Sequence, residues 1–330
     1  MTVYIDTQPV ADIPFALGLT DSFRLPKQDD IIGIRLKITK PTPTGDTWAS
    51  DAGSNLLTAL KVDFGGDPTY SMPGILSRMI SHYNNGVALT EGIFEIMFPL
   101  HPYHWEGVIQ AYLFDTIRNV TITTTTLTEA KKFCASTTLS AVGTDGSIRI
   151  YLIKRRYPRD IQDKAREINQ GLKGDARGKV RYFHIPKYLG GKTGRCLADA
   201  LNIASITKGQ ILRIYGFSIS GNTSTKRTFD AGVSITDIEV MDTSSHWLAK
   251  INVPDLIDYN KDRRGGANVT GLFVLHFDGQ DDPRVDQPDL GQAPFTQYPG
   301  VTEINVIPTV VVGGTGTEWL ELVVAYWEAD

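Results

Sequence analysis

The chain repeats itself faintly. Residues 73–98 run Pro-Gly-Ile-Leu, a polar stretch, then Gly92-Ile-Phe-Glu-Ile-Met-Phe98. Residues 254–277 run Pro-Asp-Leu-Ile, a polar stretch, then Gly271-Leu-Phe-Val-Leu-His-Phe277. The two prolines are 181 positions apart and the two glycines 179. Two more pairs keep the same order. Ile32-Gly-Ile-Arg-Leu36 matches Tyr215-Gly-Phe-Ser-Ile219 at an offset of 183, and Ile148–Ile153 matches Leu320–Ala325 at 172. The last pair is preceded in each half by a Gly-Thr turn, at Gly143 and Gly314. Similarity at one long period points to a duplicated folding unit. A chain of 330 residues then holds two domains of ordinary size.

The unit is built of strands. Ile32, Ile34, Leu36 and Ile38 point one way while Arg35 and Lys37 point the other, as in a half-buried strand. Phe94, Ile96 and Phe98 form a second such stripe, and Phe273, Leu275 and Phe277 repeat it. Val120–Leu127, Val301–Ile307 and Glu318–Trp327 are further β-prone runs. Asn84-Asn-Gly, Asp145-Gly and Gly265-Gly supply turns between them. Short helical turns are expected at Pro73–Tyr83 and Pro254–Asn260, in equivalent loops before the duplicated strand. Between the copies, Pro158–Gln170 has Pro at its start and Gly171 after its end, the asymmetry of a helix. About eight strands per copy, in short runs between turns, fit a two-sheet sandwich. The expected fold is all-β: two tandem eight-stranded jelly-roll β-sandwiches joined by a short helical linker. Residues 1–157 form the first with an N-terminal arm, 158–180 the basic linker and 181–330 the second.

Catalytic motifs are scarce. A duplicated jelly roll that binds a metal needs a His-x-His pair on a barrel strand, and none occurs; His101-Pro-Tyr-His104-Trp-Glu106 is the nearest cluster. Gly190-Gly-Lys-Thr193 resembles the end of a phosphate loop, but Pro186 stands where that loop requires glycine. No Gly-x-Ser-x-Gly elbow exists. No catalytic residue and no cofactor are assigned. Asp278, Asp281 and Asp282, in an acidic turn with Asp286 and Asp289, could hold a structural calcium ion; a solvated hairpin tip is the alternative. Two cysteines, Cys134 and Cys196, are expected to be reduced and structural. The first 25 residues lack a basic leader, and no run of 18 apolar residues could form a membrane helix.

Charge is unevenly spread. Residues 154–181 carry ten Lys/Arg against four Asp/Glu, so they are +6 while the whole chain is −4. Lys154, Arg155, Arg156 and Arg159 open this band and form a candidate patch for phosphates of an anionic membrane or a genome. The other reading is a helix laced with local ion pairs.

Tandem jelly rolls of minimal length, with the duplicated Gly92–Phe98 and Gly271–Phe277 strands and the Val310–Thr317 approach to a closing strand, resemble the double jelly-roll major capsid proteins. These belong to tailless icosahedral viruses of the tectivirus, corticovirus and adenovirus lineage. The resemblance implies a homotrimer with six jelly rolls in a pseudo-hexagonal capsomer, located in the virion and made in the host cytoplasm. Its implied partners are neighbouring capsomers, vertex or penton proteins and minor capsid proteins, with the basic linker facing an inner membrane or genome. Tower insertions of larger relatives are missing, so a low outer crown is expected. The competing readings are a two-jelly-roll enzyme acting on glycans and a carbohydrate-binding or adhesion module.

Overall fold

A computed structural model describes residues 2–15, 18–26, 30–49, 52–64, 67–85, 90–97, 120–126, 138–156, 178–203, 209–220, 228–229, 235–242, 247–263, 269, 271–276, 303–311 and 318–329. In the first half lie β1 (Thr2–Ile5), β2 (Ala11–Pro14), β3 (Thr20–Arg24), β4 (Asp30–Thr39), β5 (Pro43–Thr44), β6 (Leu57–Phe64), β7 (Asp67–Met72), β8 (Ile93–Met97), β9 (Val120–Thr126), β10 (Ala141–Val142) and β11 (Ser147–Arg156), with helices α1 (Ala52–Leu56) and α2 (Gly74–Asn85). The second half holds β12 (Gly178–Tyr188), β13 (Gly194–Arg195), β14 (Leu201–Ile203), β15 (Gly209–Ser220), β16 (Thr228–Phe229), β17 (Ile235–Asp242), β18 (Trp247–Asn252), β19 (Leu272–His276), β20 (Ile304–Val310) and β21 (Glu318–Ala329), with helix α3 (Val253–Arg263). Two compact units result: residues 1–82, 88–181 and 329–330, and residues 83–87 and 182–328. The expected linker helix at 158–170 lies outside the described residues.

Each unit contains the same pair of sheets. In the first, one sheet runs β1-β11-β4-β8 with β2 also on β11, and the other runs β3-β9-β6-β7. In the second, β12-β21-β15 with β19 on β15 repeats the former, and β13 or β14-β20-β17-β18 repeats the latter. Apart from the sequence neighbours β6–β7, β15–β16 and β17–β18, paired strands are distant in sequence, and all pairings given are antiparallel, which is the jelly-roll connection. The period-two stripes explain the layering. Ile34, Leu36, Ile38, Ile148, Ile150, Leu152, Phe94 and Ile96 are buried in the first unit. Ile214, Phe273, Leu275, Leu320, Leu322 and Val324 meet Ile238, Val240, Ile304 and Val306 in the core of the second. Each such side chain contributes about 1.5–3 kcal/mol on burial, and together they hold the sheets face to face.

The irregularities repeat as faithfully as the strands. The β4–β11 ladder skips a residue between Ile31 and Gly33, and the β15–β21 ladder skips one between Ile211 and Arg213. β6 bulges against β9 between Leu57 and Ala59, as β17 does against β20 between Ile235 and Asp237. The edge pairs β6–β7 and β17–β18 share a third bulge, after Val62 and Val240. A bulge places an unpaired residue and a local twist at one point of a ladder, so three coincidences mark common descent of the units rather than generic strand likeness.

These ladders correct one alignment drawn from sequence. Ile38 N–H donates to the Gly92 carbonyl at 2.8 Å, and Ser218 N–H donates to the Gly271 carbonyl at 2.8 Å. Position 38 therefore corresponds to 218, an offset of 180, and Gly33 does not correspond to Gly216. Leu36 does, because Phe94 is opposite Leu36 and Phe273 is opposite Gly216. A slip of three residues would have turned every core side chain outward. The match of Ile148 with Leu320 holds, since they oppose Ile38 and Ser218.

Short helical turns were expected before each duplicated strand; full helices stand there, α2 of 12 residues and α3 of 11. α2 buries Ile75, Leu76, Met79, Ile80 and Tyr83, one face at helical spacing. Asn252 caps α3 by accepting from Asp255 N–H at 3.1 Å. Both helices secure the following strand at the same place. Ser81 Oγ accepts from Glu95 N–H at 2.8 Å; Asn260 Oδ1 accepts from Val274 N–H at 2.9 Å while its Nδ2 donates to the Val274 carbonyl at 3.2 Å. Asn260 is buried and acts as a surrogate strand for β19. Asn260→Leu is expected to cost roughly 2–4 kcal/mol, because two backbone groups lose their partners inside the protein. Denaturant unfolding would read this; a loss under about 0.5 kcal/mol would contradict the assigned role.

Candidate interaction surfaces

The basic run does not behave as a uniform patch. Lys154 is buried, and its Nζ lies 2.9 Å from Asp6 Oδ2, so its charge is used in tying β1 to β11. Arg155 and Arg156 occupy the last two positions of β11, opposite Val3 and Thr2. Arg159, the acidic residues Asp278, Asp281 and Asp282, and His101 and His104 lie outside the described residues. Among the described residues, no group of three or more His, Cys, Asp or Glu side chains could hold a metal.

The glycine-rich stretch at 190–194 is a turn between β12 and the two-residue β13, with Gly191 and Gly194 at φ near 74°. No helix starts there for a phosphate loop to use. Instead, Lys187 and Lys192 converge on Asp199 at 3.2 and 3.3 Å. The Lys187 and Lys192 hydrogen bonds hold the Asp199 carboxyl below the ordinary carboxylate range. Cys196, just before, is buried and free, and burial pushes its thiol up, as expected of a structural cysteine. On the outward side of the second unit's β17 sheet, Glu239 is buried beneath Arg195, which donates from Nε at 2.8 Å.

The two units differ most on the outward face of the sheet that contains β11 or β21. In the first unit this face carries charge. Arg149 is flanked in register by Asp12 and Lys37, and Arg35 by Tyr151 and Glu95. Arg149 Nε donates to Asp12 Oδ2 at 2.9 Å, with the two side chains 43% and 47% exposed. Asp12 raises the Arg149 pKa further by hydrogen bonding and by its charge. Arg35 Nε lies 3.3 Å from Glu95 Oε1. Lys37 is exposed and makes no ion pair among the described residues.

In the second unit the corresponding positions are filled differently. Glu321 stands for Arg149, Phe217 for Lys37, Tyr215 for Arg35, Val323 for Tyr151 and Val274 for Glu95. All five are buried, Glu321 to 1% exposure. Glu321 Oε2 meets His184 Nε2 of β12 at 2.7 Å, an ion-pairing position like that of Asp12 and Arg149 with the acid on the other strand. Part of the cover is Tyr83 and Asn84, which belong to this unit. Tyr83 Oη lies 2.9 Å from His276 Nε2, and the Tyr215 hydroxyl donates to Asn84 Oδ1 at 3.1 Å. Sequence reading missed His184, Glu321 and this buried face. The available signal was Leu320-Glu-Leu-Val-Val-Ala325, a nearly continuous apolar run, which marks a strand buried on both sides.

No family model matches the sequence, and no curated protein matches it. Solved structures do. The major capsid protein of Sulfolobus turreted icosahedral virus superimposes with a TM-score of 0.66 at 14% identity, covering 99% of this chain and 97% of that one. The PBCV-1 virus capsid protein gives 0.58 at 10% identity, over 100% and 95%. The major capsid protein P2 of bacteriophage PM2 gives 0.53 at 11% identity, over 99% and 97%. At such identities the likeness is one of fold, and the fold is the double jelly roll, shared end to end.

Proposed function

We propose that this chain is the structural major capsid protein of an icosahedral virus, and that three copies close into a pseudo-hexagonal capsomer. The observation that carries the reading is the coverage: both jelly rolls, and little else, are shared with three viral capsid proteins over nearly the whole of each chain. Duplication suits that task. Three chains, each with two equivalent sandwiches, present six similar units, and closed assemblies are made by repeating one set of contacts.

On this reading the capsomer meets further capsomers, vertex proteins and minor proteins in a virion, after synthesis in the host cytoplasm. The band from Arg155 to Arg181 supplies positive charge for phosphates of an inner lipid layer or packaged nucleic acid. Asp278, Asp281 and Asp282 are the place where a structural calcium would act. The solved structures that the chain resembles are those of viral capsid proteins, so a glycan enzyme or adhesion module is the less favoured reading. Light scattering during size exclusion is expected to give three times the chain mass, and negative-stain images of material from the native source to show hexagonal particles. A monodisperse monomer at high concentration would overturn the proposal.

A further inference from the structure

We infer that residues 41–47 and 138–145 of the first unit form an acid-operated clasp. Ionised Asp145 holds the two segments together over one end of the sandwich, and its protonation lets them part while the sheets stay folded. The inference is independent of the assembly role proposed above, so its test can fail without touching that role.

The segments meet in the ladder β5–β10, where Thr44 is opposite Ala141 and Pro43 is opposite Val142. Two residue pairs do not hold a ladder by themselves. Side chains do most of the joining. Asp145 Oδ1 accepts from Thr42 N–H at 2.8 Å, and its Oδ2 accepts from the Thr42 hydroxyl at 2.5 Å. The Thr42 carbonyl in turn accepts from Gly143 N–H at 2.8 Å. A Cβ on Gly143 would lie 2.6 Å from Asp145 Oδ1, so the glycine leaves room for the carboxylate. Farther along, the Ser140 N–H and hydroxyl both donate to the Thr44 carbonyl, at 2.9 and 3.0 Å. The Thr138 hydroxyl donates to the Gly45 carbonyl at 2.7 Å, and Thr138 N–H to Asp46 Oδ2 at 3.2 Å. Asp145 is thus the charged group that grips the opposite segment with both oxygens.

That grip depends on charge. An ionised carboxylate only accepts, whereas its protonated form carries a donor on one oxygen and loses charge-assisted strength. The Thr42 hydroxyl, and then its backbone N–H, hold the Asp145 carboxyl below its ordinary value of 3.8, and no charged side chain contributes to the displacement. The other titratable group in the two segments is Asp46; Lys40, just before them, pairs with Glu91 at 2.7 Å. Because the folded value is depressed, the contribution of Asp145 is complete above 3.8 and is lost as pH falls through the folded value. Parting the segments changes what this end presents. Leu139 lies in the clasp and is buried, as are Pro41 and Phe15 beside it, and Trp48 Nε1 donates to the Pro41 carbonyl at 2.7 Å. A tip of Thr, Ser and Asp gives way to an apolar one. The β4–β11 ladder runs on separately from Thr39 and Ser147, so the clasp opens as a local unit.

The test is deuterium exchange of the full chain, read on peptides covering 40–47 and 138–146 and corrected for intrinsic exchange rates. Peptides of β4 and β11 serve as the internal reference. Samples at about pH 7, about pH 5 and about pH 2 span the titration. Wild-type clasp protection is expected to be equal at the two higher values and to fall at least about tenfold at the lowest, while β4 and β11 keep theirs. Binding of a dye that reports exposed apolar surface should rise over the same range. Asp145→Asn keeps an acceptor and gains a donor toward Thr42 but does not titrate, so its clasp should stay protected in acid. Asp145→Ala removes both contacts, and its clasp should already be open at neutral pH. A wild-type clasp that stays protected in acid would overturn the inference. So would one that opens only together with β4 and β11, or an Asp145→Asn clasp that opens as the wild type does.

Discussion

Gly216→Ala is expected to destabilise the second sandwich by about 2–3 kcal/mol, a large loss for one methyl group. Gly216 is directly opposite Phe273 across the β15–β19 pair. A Cβ built on Gly216 would lie 2.1 Å from Phe273 Cζ and 2.3 Å from Cε2. The ring is not free to swing away, because it is buried in the central cluster with Ile214, Leu275 and Leu322. It must leave a packed rotamer or displace its neighbours, and interiors at crystal-like density resist both. A double-mutant cycle isolates the cause. Phe273→Leu alone should be destabilising, whereas Gly216→Ala added to it should be nearly neutral, giving a coupling of roughly 1–3 kcal/mol. An equal cost of Gly216→Ala in both backgrounds would refute the steric explanation.

Gly92→Ala is expected to cost about 2–3 kcal/mol in the first unit, the sum of a backbone penalty and a collision. Gly92 sits at φ 75°, where an L side chain is strained, and its Cβ would lie 2.6 Å from the Ile38 carbonyl oxygen. That oxygen belongs to the ladder residue whose N–H bonds Gly92, so relief of the clash weakens the start of β8. Gly191→Ala separates the two terms. Its φ is 74°, but nothing lies within 4 Å of the added carbon. Only the backbone penalty of about 1 kcal/mol remains there. Denaturation midpoints of both variants would check this, and equal losses would mean that the Ile38 contact has no energetic weight. Gly271, the counterpart of Gly92, has φ 71°, which explains why this glycine is among the few identities that the two copies retain.

The strands and their duplication were legible because alternation of apolar and polar residues is a local property, and every buried stripe leaves it in the chain. Short helical turns before β8 and β19 were legible from the matching prolines that precede the duplicated strand, though not their full length as helices. Register between the copies was not. Gly33 and Gly216 look alike in sequence, yet Gly33 corresponds to Arg213, and each glycine exists for its own crowding. Gly33 would press a Cβ to 2.6 Å from the Ile96 carbonyl, while Gly216 makes room for Phe273. Only cross-strand hydrogen bonds decide such a question. The role of Asn260 was hidden for the same reason: Ser81 does the equivalent work with a different side chain, so identity carries no trace of it.

The candidate surfaces show the same division. Lys154 reads as the first of three consecutive cations, but Asp6, just past β1 and far away in the chain, pairs with it. Glu321 is the one charge within an apolar run, and it is buried against His184. Whether a charge faces solvent depends on what the fold brings beside it, a non-local fact.

The sequence by itself determined that this protein is two copies of a β-sandwich, because burial of alternate side chains and the demands of tight turns are written residue by residue. Tertiary structure alone decided which residues correspond, which glycines are crowded, and that one copy hides the face its twin leaves charged and open. Those properties come from pairing between strands over a hundred residues apart, and no local pattern in a chain records its distant neighbours.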